Sequence, residues 1–240
     1  MVEQQTAWSA PSGAAQNFEF AALSEARNYR AAICRLFAPH LSGDILEVGA
    51  GIGQMLGDVI TICRPTSVAA VEPDSRFIPT LRTAVPGAEI WAGSEQDIPE
   101  DRRFDAIYAI NVLEHIADDR AELANWNRRI KPCGTVCLLV PARPELYAPI
   151  DADFGHHRRY TKRELESKLA EAGFVSAKVR YFNMVGYFAW LINFRLLAKR
   201  SFDRTSVRAF DRLIFPICRF FESKTRICPF GQSLVAIAKR

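Results

Sequence analysis

The sequence lacks the features that most directly indicate a zinc ribbon, a disulfide framework, a secreted chain or a membrane span. No two of its six cysteines form a Cys-x-x-Cys pair; they stand at positions 34, 63, 133, 137, 218 and 228. The first residues contain no basic segment followed by an apolar one, and no apolar run approaches the ~18 residues that cross a bilayer. We therefore expect a protein of the reducing cytoplasm without a metal site.

A strong excess of charge of one sign is also missing. The 240 residues carry a formal net charge of +4, which is too small to indicate nucleic acid as a partner, and no RNA-binding motif is present. Hydrophobic residues make up 49% of the chain, which is enough to bury the core of one large domain. Residues 1–17, rich in Ala, Gln, Ser, Gly and Pro, are predicted to form a mobile tail.

Three glycines at alternate positions follow a short apolar strand in residues 45–53, which read Ile-Leu-Glu-Val-Gly-Ala-Gly-Ile-Gly. Glycine permits a tight turn, and the apolar spacing that follows predicts a helix, so the segment is a strand–loop–helix unit of the nucleotide-binding kind. The dinucleotide fingerprint requires glycine at its sixth position, where Gln54 stands, and this disfavours a nicotinamide oxidoreductase. Glu47 lies at the strand end. Glu72 ends the next apolar run, where a carboxylate is placed to hold ribose hydroxyls.

With these features the chain resembles the class I S-adenosylmethionine-dependent methyltransferases. The resemblance implies S-adenosylmethionine as the cofactor and S-adenosylhomocysteine as the product. It implies that the glycine loop contacts the methionine part of the cofactor, whereas the acid that ends the second strand binds the ribose. The cofactor-binding residues that follow from it at this edge are Glu47, Gly49, Ala50, Gly51, Gly53, Glu72 and Pro73.

The turn after the third predicted strand, residues 88–91, carries the adenine contacts in this family, commonly through an acid directly after a glycine. Ser94 occupies that position here. The contact is therefore expected from the backbone of Ser94 and Glu95, or from the side chain of Glu95 or Asp97.

Residues 104–110 are predicted to form the fourth strand. They are followed by Asn111 and by the Leu-Glu-His of residues 113–115, another signature of the family. Ligands of open parallel sheets bind outside the carboxyl ends of the strands, so Asn111 is predicted to bind the cofactor and to face the methyl-transfer site. Glu114 and His115 are interpreted as a structural pair that opens the next helix.

No helical or strand period runs through residues 141–160. Ordered loops of this length are usually functional, and the aromatic, histidine and arginine content argues against disorder. The run Gly-His-His-Arg-Arg-Tyr at its end is similar to a segment of class I methyltransferases that act on small molecules. We predict His156 or His157 as the base for a hydroxyl or amide acceptor. The substrate-binding candidates are Tyr147, Arg158 and Arg159, with one of the two arginines held in an internal ion pair.

An insertion of residues 184–230 separates the sixth predicted strand from the seventh, residues 233–239. Residues 184–228 contain nine basic and three acidic residues, a balance of +6, interleaved with nine aromatic residues. We expect two or three helices, and four interpretations stay open: a lid, contact with an anionic membrane, a homodimer interface, and a cover for the sheet edge. As a lid, the insertion would enclose a hydrophobic acceptor with Tyr187, Trp190 and Phe194.

The order of elements predicts an α/β fold, a doubly wound, seven-stranded Rossmann-like methyltransferase sheet with a helical insertion before the last strand. Residues 18–183 and 231–240 form its core. The function expected is methyl transfer from S-adenosylmethionine to an O or N atom of a small, partly hydrophobic or lipid-linked acceptor. The alternative is a non-catalytic S-adenosylmethionine-binding scaffold that acts through the insertion. The expected location is the cytoplasm, with the inner face of the membrane as a peripheral contact.

Overall fold

The computed structural model describes residues 24–201, 203–225 and 229–240, with the backbone alone for 223–225. The predicted tail, residues 1–17, lies outside the described residues. The helices are α1 (Arg27–Phe37), α2 (Gln54–Cys63), α3 (Ile78–Ala84), α4 (Asp119–Arg129), α5 (Pro149–Asp153), α6 (Lys162–Glu171), α7 (Met184–Trp190), α8 (Arg204–Ala209) and α9 (Phe215–Thr225). The strands are β1 (Asp44–Val48), β2 (Ser67–Glu72), β3 (Glu89–Ala92), β4 (Phe104–Ile110), β5 (Ile130–Pro141), β6 (Val175–Phe182) and β7 (Ser233–Lys239).

Seven strands form one sheet in the order β3-β2-β1-β4-β5-β7-β6. The strands β1 to β5 run parallel, and β7 is antiparallel to both β5 and β6. The direction of winding reverses between β1 and β4, and the carboxyl ends of such strands border the crevice in which open α/β sheets bind ligands. The predicted fold class, a doubly wound Rossmann-like sheet, is confirmed.

Helices cover both faces of this sheet. On one face α1, α2 and α3 bury Phe37, Leu56 and Leu81 against the strands. On the other face α4 and α6 bury Trp126 and Leu165. Parallel strands covered on both sides are apolar on both faces, which explains the continuous apolar runs in the sequence. Within the described ranges, no helix is long and apolar enough to cross a membrane.

The helix predicted to open with Leu-Glu-His is divided in two. Residues 113–115 form an isolated 3-10 turn, and α4 begins only after Asp118. The carboxylate of Asp118 accepts a hydrogen bond from the backbone N–H of Ala121 at 3.0 Å, which is the usual contact of an N-cap residue. The split leaves Glu114 and His115 in a turn at the carboxyl end of β4 rather than on a helix.

The insertion between β6 and β7 is helical and packs against residues 141–160. The helix α7 continues as π-helical residues Leu191–Leu196, and α8 and α9 are joined by π-helical residues Phe210–Ile214. Trp190 and Phe194 form an apolar cluster with side chains of the 141–160 segment. This packing gives the long segment after β5 a fixed position.

The insertion also caps α1. The carboxylate of Asp211, which is 2% exposed, accepts hydrogen bonds from the backbone N–H groups of Asn28 and Tyr29 at 2.9 Å each. The side chain of Asn28 donates in turn to the backbone oxygen of Asp211. The first N–H groups of a helix need acceptors, and the residue before α1, Ala26, supplies none from its side chain. The start of α1 therefore depends on a residue far along the chain.

Candidate active site

The glycine loop joins β1 to α2 in a turn that leaves no room for a side chain at its first residue. Gly49 has φ of +71°, and a Cβ added to it would lie 2.5 Å from Cγ2 of Val112. The left-handed φ and the close approach both favour glycine. Since Val112 directly follows Asn111, the glycine loop and the end of β4 lie side by side, as the predicted cofactor site requires.

Glu72 ends β2 beneath this loop. Its Oε2 accepts a hydrogen bond from the N–H of Gly51 (2.7 Å), and its Oε1 accepts one from the N–H of Asp74 (2.8 Å). Burial raises the pKa of Glu72 above its ordinary value, although both of these hydrogen bonds lower it. Each carboxylate oxygen has a second lone pair, so the backbone fixes Glu72 without using up its capacity to accept from a ribose hydroxyl.

Glu47 is the buried acid of β1, with 2% of its surface exposed. Burial raises the pKa of Glu47 well above its ordinary value; the Tyr108 hydroxyl opposes this shift, and the Glu72 carboxylate adds to it. Within the part of the chain that the structure describes, Oε2 of Glu47 accepts no hydrogen bond. An unsatisfied buried oxygen is costly, and a donor group of a ligand at the loop would satisfy it. The residues of this edge thus fit a ligand that carries both an amino group and a ribose.

The turn predicted to contact adenine is held by its own side chains. Ser94 caps the 3-10 turn Glu95–Asp97, and the N–H of Ser94 donates to Oδ2 of Asp97 at 2.8 Å. The carboxylate of Glu95 is 8% exposed and pairs with Nε of Arg129 at 2.8 Å. Because both acids are engaged in internal contacts, the backbone of Ser94 and Glu95 stays our prediction for the adenine contact.

A cavity of about 940 Å³ lies beside this edge, between α1, the insertion and the 141–160 segment. Its volume is within the range of pockets that enclose small-molecule ligands. Asn111 lines it with φ of +53° and donates its backbone N–H to the carbonyl of Leu139 in β5 at 2.9 Å. Other polar wall residues include Tyr29, His156, Arg159, Asn183 and Ser233. Apolar wall residues include Phe154, Ala189, Trp190, Phe194, Phe210 and Ile214.

His156 is the member of the predicted histidine pair that lines the cavity. Its Nδ1 lies 2.9 Å from Oδ1 of Asp151, which also accepts from Nε of Arg159 at 2.9 Å. Burial alone would raise the pKa of Asp151, but the hydrogen bond from His156 and the charge of Arg159 bring it below its ordinary value. An ionised carboxylate can only accept. Nδ1 therefore carries a proton, and Nε2 is the acceptor atom of neutral His156.

Nε2 of His156 lies near two further buried residues, Glu114 and His115. Its distance to Oε1 of Glu114 is 3.9 Å, and the rings of His156 and His115 pack edge to face with centroids 4.7 Å apart. Burial lowers the pKa of His115 to about 3; His156 and His157 act in the same direction, and a hydrogen bond with the backbone of Gly155 opposes them. His115 is therefore a neutral imidazole at physiological pH.

Both predicted substrate-binding arginines make internal ion pairs. Arg159 lines the cavity while it pairs with Asp151, and its guanidinium lies over the ring of Trp190 at 4.3 Å. Arg158 pairs with Asp119 at 2.9 Å, outside the cavity wall. Arg159 is thus the arginine that an acceptor in the cavity would contact. The positive charge of Arg159 is already paired with the carboxylate of Asp151.

Three other predicted residues lie outside the cavity wall: Tyr147, His157 and Tyr187. The Tyr147 hydroxyl donates to the backbone oxygen of His156 at 2.7 Å and so supports the histidine without facing the cavity. The Tyr187 ring packs against two neighbouring phenylalanine rings. The side chain of His157 is exposed, and its backbone N–H donates to the carbonyl of Glu114. Of the two histidines predicted as the base, His156 is therefore the one that lines the cavity.

The sequence analysis assigned no role to Asp151, which orients His156. The local sequence nevertheless indicates that the carboxylate of Asp151 makes a structural contact. Pro149 is the first residue of α5, and Asp151 accepts a hydrogen bond from the N–H of Ala148 at 2.9 Å, as an acid in the first turn of a helix does. The two other partners of Asp151, His156 and Arg159, lie further along the chain, and their spacing from Asp151 matches no known motif.

The sequence model of the family described as "Methyltransferase domain" matches residues 20–179. The match covers more than half of the chain, and the protein belongs to this family. The expected family, the class I methyltransferases that use S-adenosylmethionine as their cofactor, is confirmed.

A "Probable S-adenosylmethionine-dependent methyltransferase" of Mycolicibacterium smegmatis (strain ATCC 700084 / mc(2)155) is 25% identical over 134 residues, 55% of this chain and 51% of the relative. The chain spans about half the length of the curated relatives it matches. A SAM-dependent methyltransferase from Archaeoglobus fulgidus has a similar structure, with a TM-score of 0.56, 16% identity and coverage of 88% of this chain and 92% of that one. Phosphoethanolamine N-methyltransferase 2 of Haemonchus contortus in complex with S-adenosyl-L-methionine gives a TM-score of 0.57, 15% identity and coverage of 88% and 52%. At these identities the likeness shows the fold alone.

Proposed function

We propose that the protein transfers the methyl group of S-adenosylmethionine to an oxygen or nitrogen atom of a small, partly hydrophobic or lipid-linked acceptor. The observation that supports this most directly is the position of the cavity. Asn111 lines the cavity, and the next residue, Val112, packs against Gly49 of the glycine loop. An acceptor in the cavity would therefore lie next to the methyl donor.

Methyl transfer is a direct displacement. A lone pair of the acceptor forms the new bond to the methyl carbon, the carbon–sulfur bond breaks with its electron pair left on sulfur, and S-adenosylhomocysteine is the leaving group. Positioning and exclusion of water supply much of the rate. A hydroxyl acceptor must also lose its proton, and Nε2 of His156 at the cavity wall is the atom placed to accept it.

The proposed hydrophobic character of the acceptor rests on the aromatic wall contributed by the insertion. A lipid-linked acceptor is supported by the outer surface of the same helices. Of the eleven large apolar side chains exposed among the described residues, nine lie in the insertion. They are Phe188, Ile192, Leu196, Leu197, Leu213, Ile214, Ile217, Phe220 and Phe221.

We propose that this exposed surface of the insertion binds to an anionic membrane. Soluble proteins rarely expose large apolar surfaces, and a helical segment that combines exposed apolar side chains with an excess of basic residues is typical of peripheral contact with anionic lipid. A symmetric homodimer through the same surface would bring two segments of +6 charge together, and such charges repel. The membrane is therefore the partner that complements both the apolar and the basic residues.

The test of the proposed activity uses S-adenosylmethionine labelled in its methyl group and a lysate of the native cells separated into organic-soluble and aqueous molecules. We expect label in the organic-soluble fraction. Ala189→Phe places a ring in the cavity and should abolish the transfer with cofactor affinity retained, since Ala189 lines the cavity. Ala170→Phe, at an exposed position of α6, is the matched control.

Three results would contradict parts of this proposal. Tight binding of S-adenosylmethionine without label in either fraction would favour the non-catalytic scaffold. Label confined to the aqueous fraction would exclude a lipid-linked molecule as the acceptor. Equal transfer by the wild type and by Ala189→Phe would show that the acceptor binds outside the cavity.

A further inference from the structure

Three buried side chains with metal-binding groups lie together, and one of them, His156, lines the cavity. Glu114, His115 and His156 each offer one ligand atom, and these atoms all lie within 4.8 Å of one another. The three residues are 0%, 4% and 8% exposed. Nitrogen and oxygen ligands bind ions such as Zn²⁺ at about 2.0–2.2 Å, so two ligands of one ion are separated by at most about 4.4 Å. A small rotation of side chains converts the observed spacing into that of a bound ion.

His156 already has the orientation of a metal ligand. Its Nδ1–H donates to Oδ1 of Asp151 at 2.9 Å, which leaves Nε2, 3.9 Å from Oε1 of Glu114, with its lone pair as the ligand atom. Histidines that bind metals usually donate their other ring N–H to a carboxylate in this way. Asp151 is itself fixed by Arg159 and by the backbone N–H of Ala148. The second carboxylate therefore sets the tautomer and the direction of the ring.

The two segments that carry the ligands are joined to each other. The backbone N–H of His157 donates to the carbonyl of Glu114 at 2.8 Å. The hydroxyl of Tyr160 donates to the carbonyl of Leu113 at 3.2 Å. The turn of residues 113–115 and the segment after α5 thus form a fixed frame, which keeps the ligand atoms close without an ion.

The charges around the three residues complement a cation. Glu114 is fully buried, and a buried carboxylate requires positive charge nearby. A divalent ion between Glu114 and the two imidazoles would place positive charge where the three donor atoms converge.

We propose that Glu114, His115 and His156 bind one first-row divalent transition-metal ion at the wall of the acceptor cavity. Two imidazoles with one carboxylate suit Zn²⁺, Fe²⁺, Co²⁺ or Mn²⁺, whereas Mg²⁺ and Ca²⁺ prefer oxygen ligands alone. Three protein ligands leave coordination positions open. No metal site was expected from the sequence, because the cysteine spacing indicates none and an adjacent Glu-His pair with a distant histidine has no diagnostic spacing.

The ion would also change how the acceptor loses its proton, a consequence that rests on the proposed function. An acceptor hydroxyl that binds an open position of the ion has a lowered pKa, as metal-bound water has. The hydroxyl proton would then pass to solvent water, and the oxygen would attack the methyl carbon. With the ion bound, His156 would be a ligand instead of the base proposed above.

The test uses the full chain without an affinity tag, freed of metal by a chelator, with Co²⁺ alone as the probe. We expect about one Co²⁺ per chain by equilibrium dialysis, visible d–d absorption, and displacement by Zn²⁺. Glu114→Gln keeps the size of the side chain and should weaken binding by more than about tenfold, since even changes outside the ligand set cost about 10–100-fold in affinity. His156→Gln should have the same effect. His157→Ala, which removes the adjacent exposed imidazole, should retain the ion.

A wild-type chain that binds no stoichiometric Co²⁺ overturns the proposal. So does an affinity that Glu114→Gln and His156→Gln leave unchanged, or one that His157→Ala reduces as much as they do. Neither cofactor nor acceptor enters the measurement. Its outcome therefore decides on the metal site whether or not the protein transfers methyl groups.

Discussion

At the scale of single residues, Glu72 joins the glycine loop to the proposed ribose site. Its carboxylate holds the N–H groups of Gly51 and Asp74, and its remaining lone pairs are available to ribose hydroxyls. We predict that Glu72→Ala raises the dissociation constant of S-adenosylmethionine at least about tenfold. A hydrogen bond to a charged group contributes about 1.5–3 kcal/mol, and ~1.4 kcal/mol is a factor of ten.

Isothermal calorimetry on a variant shown to be folded by circular dichroism measures this change. Glu89→Ala is the control, because Glu89 is an exposed acid of the neighbouring strand β3 that pairs with Arg102. An unchanged affinity in folded Glu72→Ala would show that this carboxylate is not at the ribose.

A second residue, Glu122 of α4, makes stability depend on pH. Burial raises the pKa of Glu122 to about 7, the charge of Glu95 adds to the shift, and a hydrogen bond from Trp126 opposes it. The folded-state pKa lies above the ordinary value of 4.5. The folded state therefore holds this proton more tightly than the unfolded state, and the stability that results is complete below pH ~4.5 and is lost as pH rises through ~7.

We predict that the free energy of unfolding of Glu122→Gln, relative to the wild type, rises by about 3 kcal/mol between pH 5 and pH 9, since one pKa unit corresponds to ~1.36 kcal/mol. Glutamine stays neutral and can still accept the hydrogen bond from Nε1 of Trp126, which is 2.6 Å from Oε1 of Glu122. Urea unfolding at both pH values measures the difference. The exposed Glu100→Gln is the control, and a difference independent of pH would disprove the prediction.

The residues of the cofactor edge could be predicted because they belong to short motifs. Glu47, Gly49 and Glu72 stand at fixed positions relative to two strands, and the sheet brings strand ends together. The pair Asp151–His156 and its neighbours Glu114 and His115 could not be predicted in the same way. Their contacts form only when the turn after β4 packs against the segment after α5. No spacing of residues in the sequence indicates that these two segments pack together.

At the scale of elements, the insertion exposes nine large apolar side chains and carries a charge balance of +6 over residues 184–228. We predict that the protein binds anionic vesicles and that salt weakens the binding, since exposed charges are screened over ~8 Å at physiological ionic strength. Leu213, which is 67% exposed, belongs to the proposed contact surface. Leu213→Glu should reduce partitioning at least about tenfold, because burying a leucine side chain contributes roughly 1.5–3 kcal/mol.

Sedimentation with phosphatidylglycerol-containing and with pure phosphatidylcholine vesicles, at low and high salt, measures this binding. Val175→Glu is the matched control: Val175 is 57% exposed but lies on β6, outside the insertion. Failure of the wild type to sediment with anionic vesicles would exclude an anionic membrane as the partner of this surface. A wild type that is dimeric in analytical ultracentrifugation and a monomeric Leu213→Glu would assign the surface to a second copy instead.

At the scale of the whole molecule, the order of apolar strands and helices, together with the resemblance to the family, was sufficient to predict the sheet. β7, Ser233–Lys239, lies where its apolar run predicted it. The cavity could not be predicted to the same extent. Its wall combines α1, the end of β4, the 141–160 segment and the insertion, and such a set is defined by packing rather than by any one pattern.

The bonds between Asp211 and α1 bear on how fast molecules exchange with this cavity. Tyr29 and Asp211 both line it, so α1 and the insertion meet at its wall. Parting them breaks two hydrogen bonds to a carboxylate that is 2% exposed and leaves the first turn of α1 without acceptors. A molecule whose entry or exit requires α1 and the insertion to part would therefore exchange only when the cap of α1 is broken.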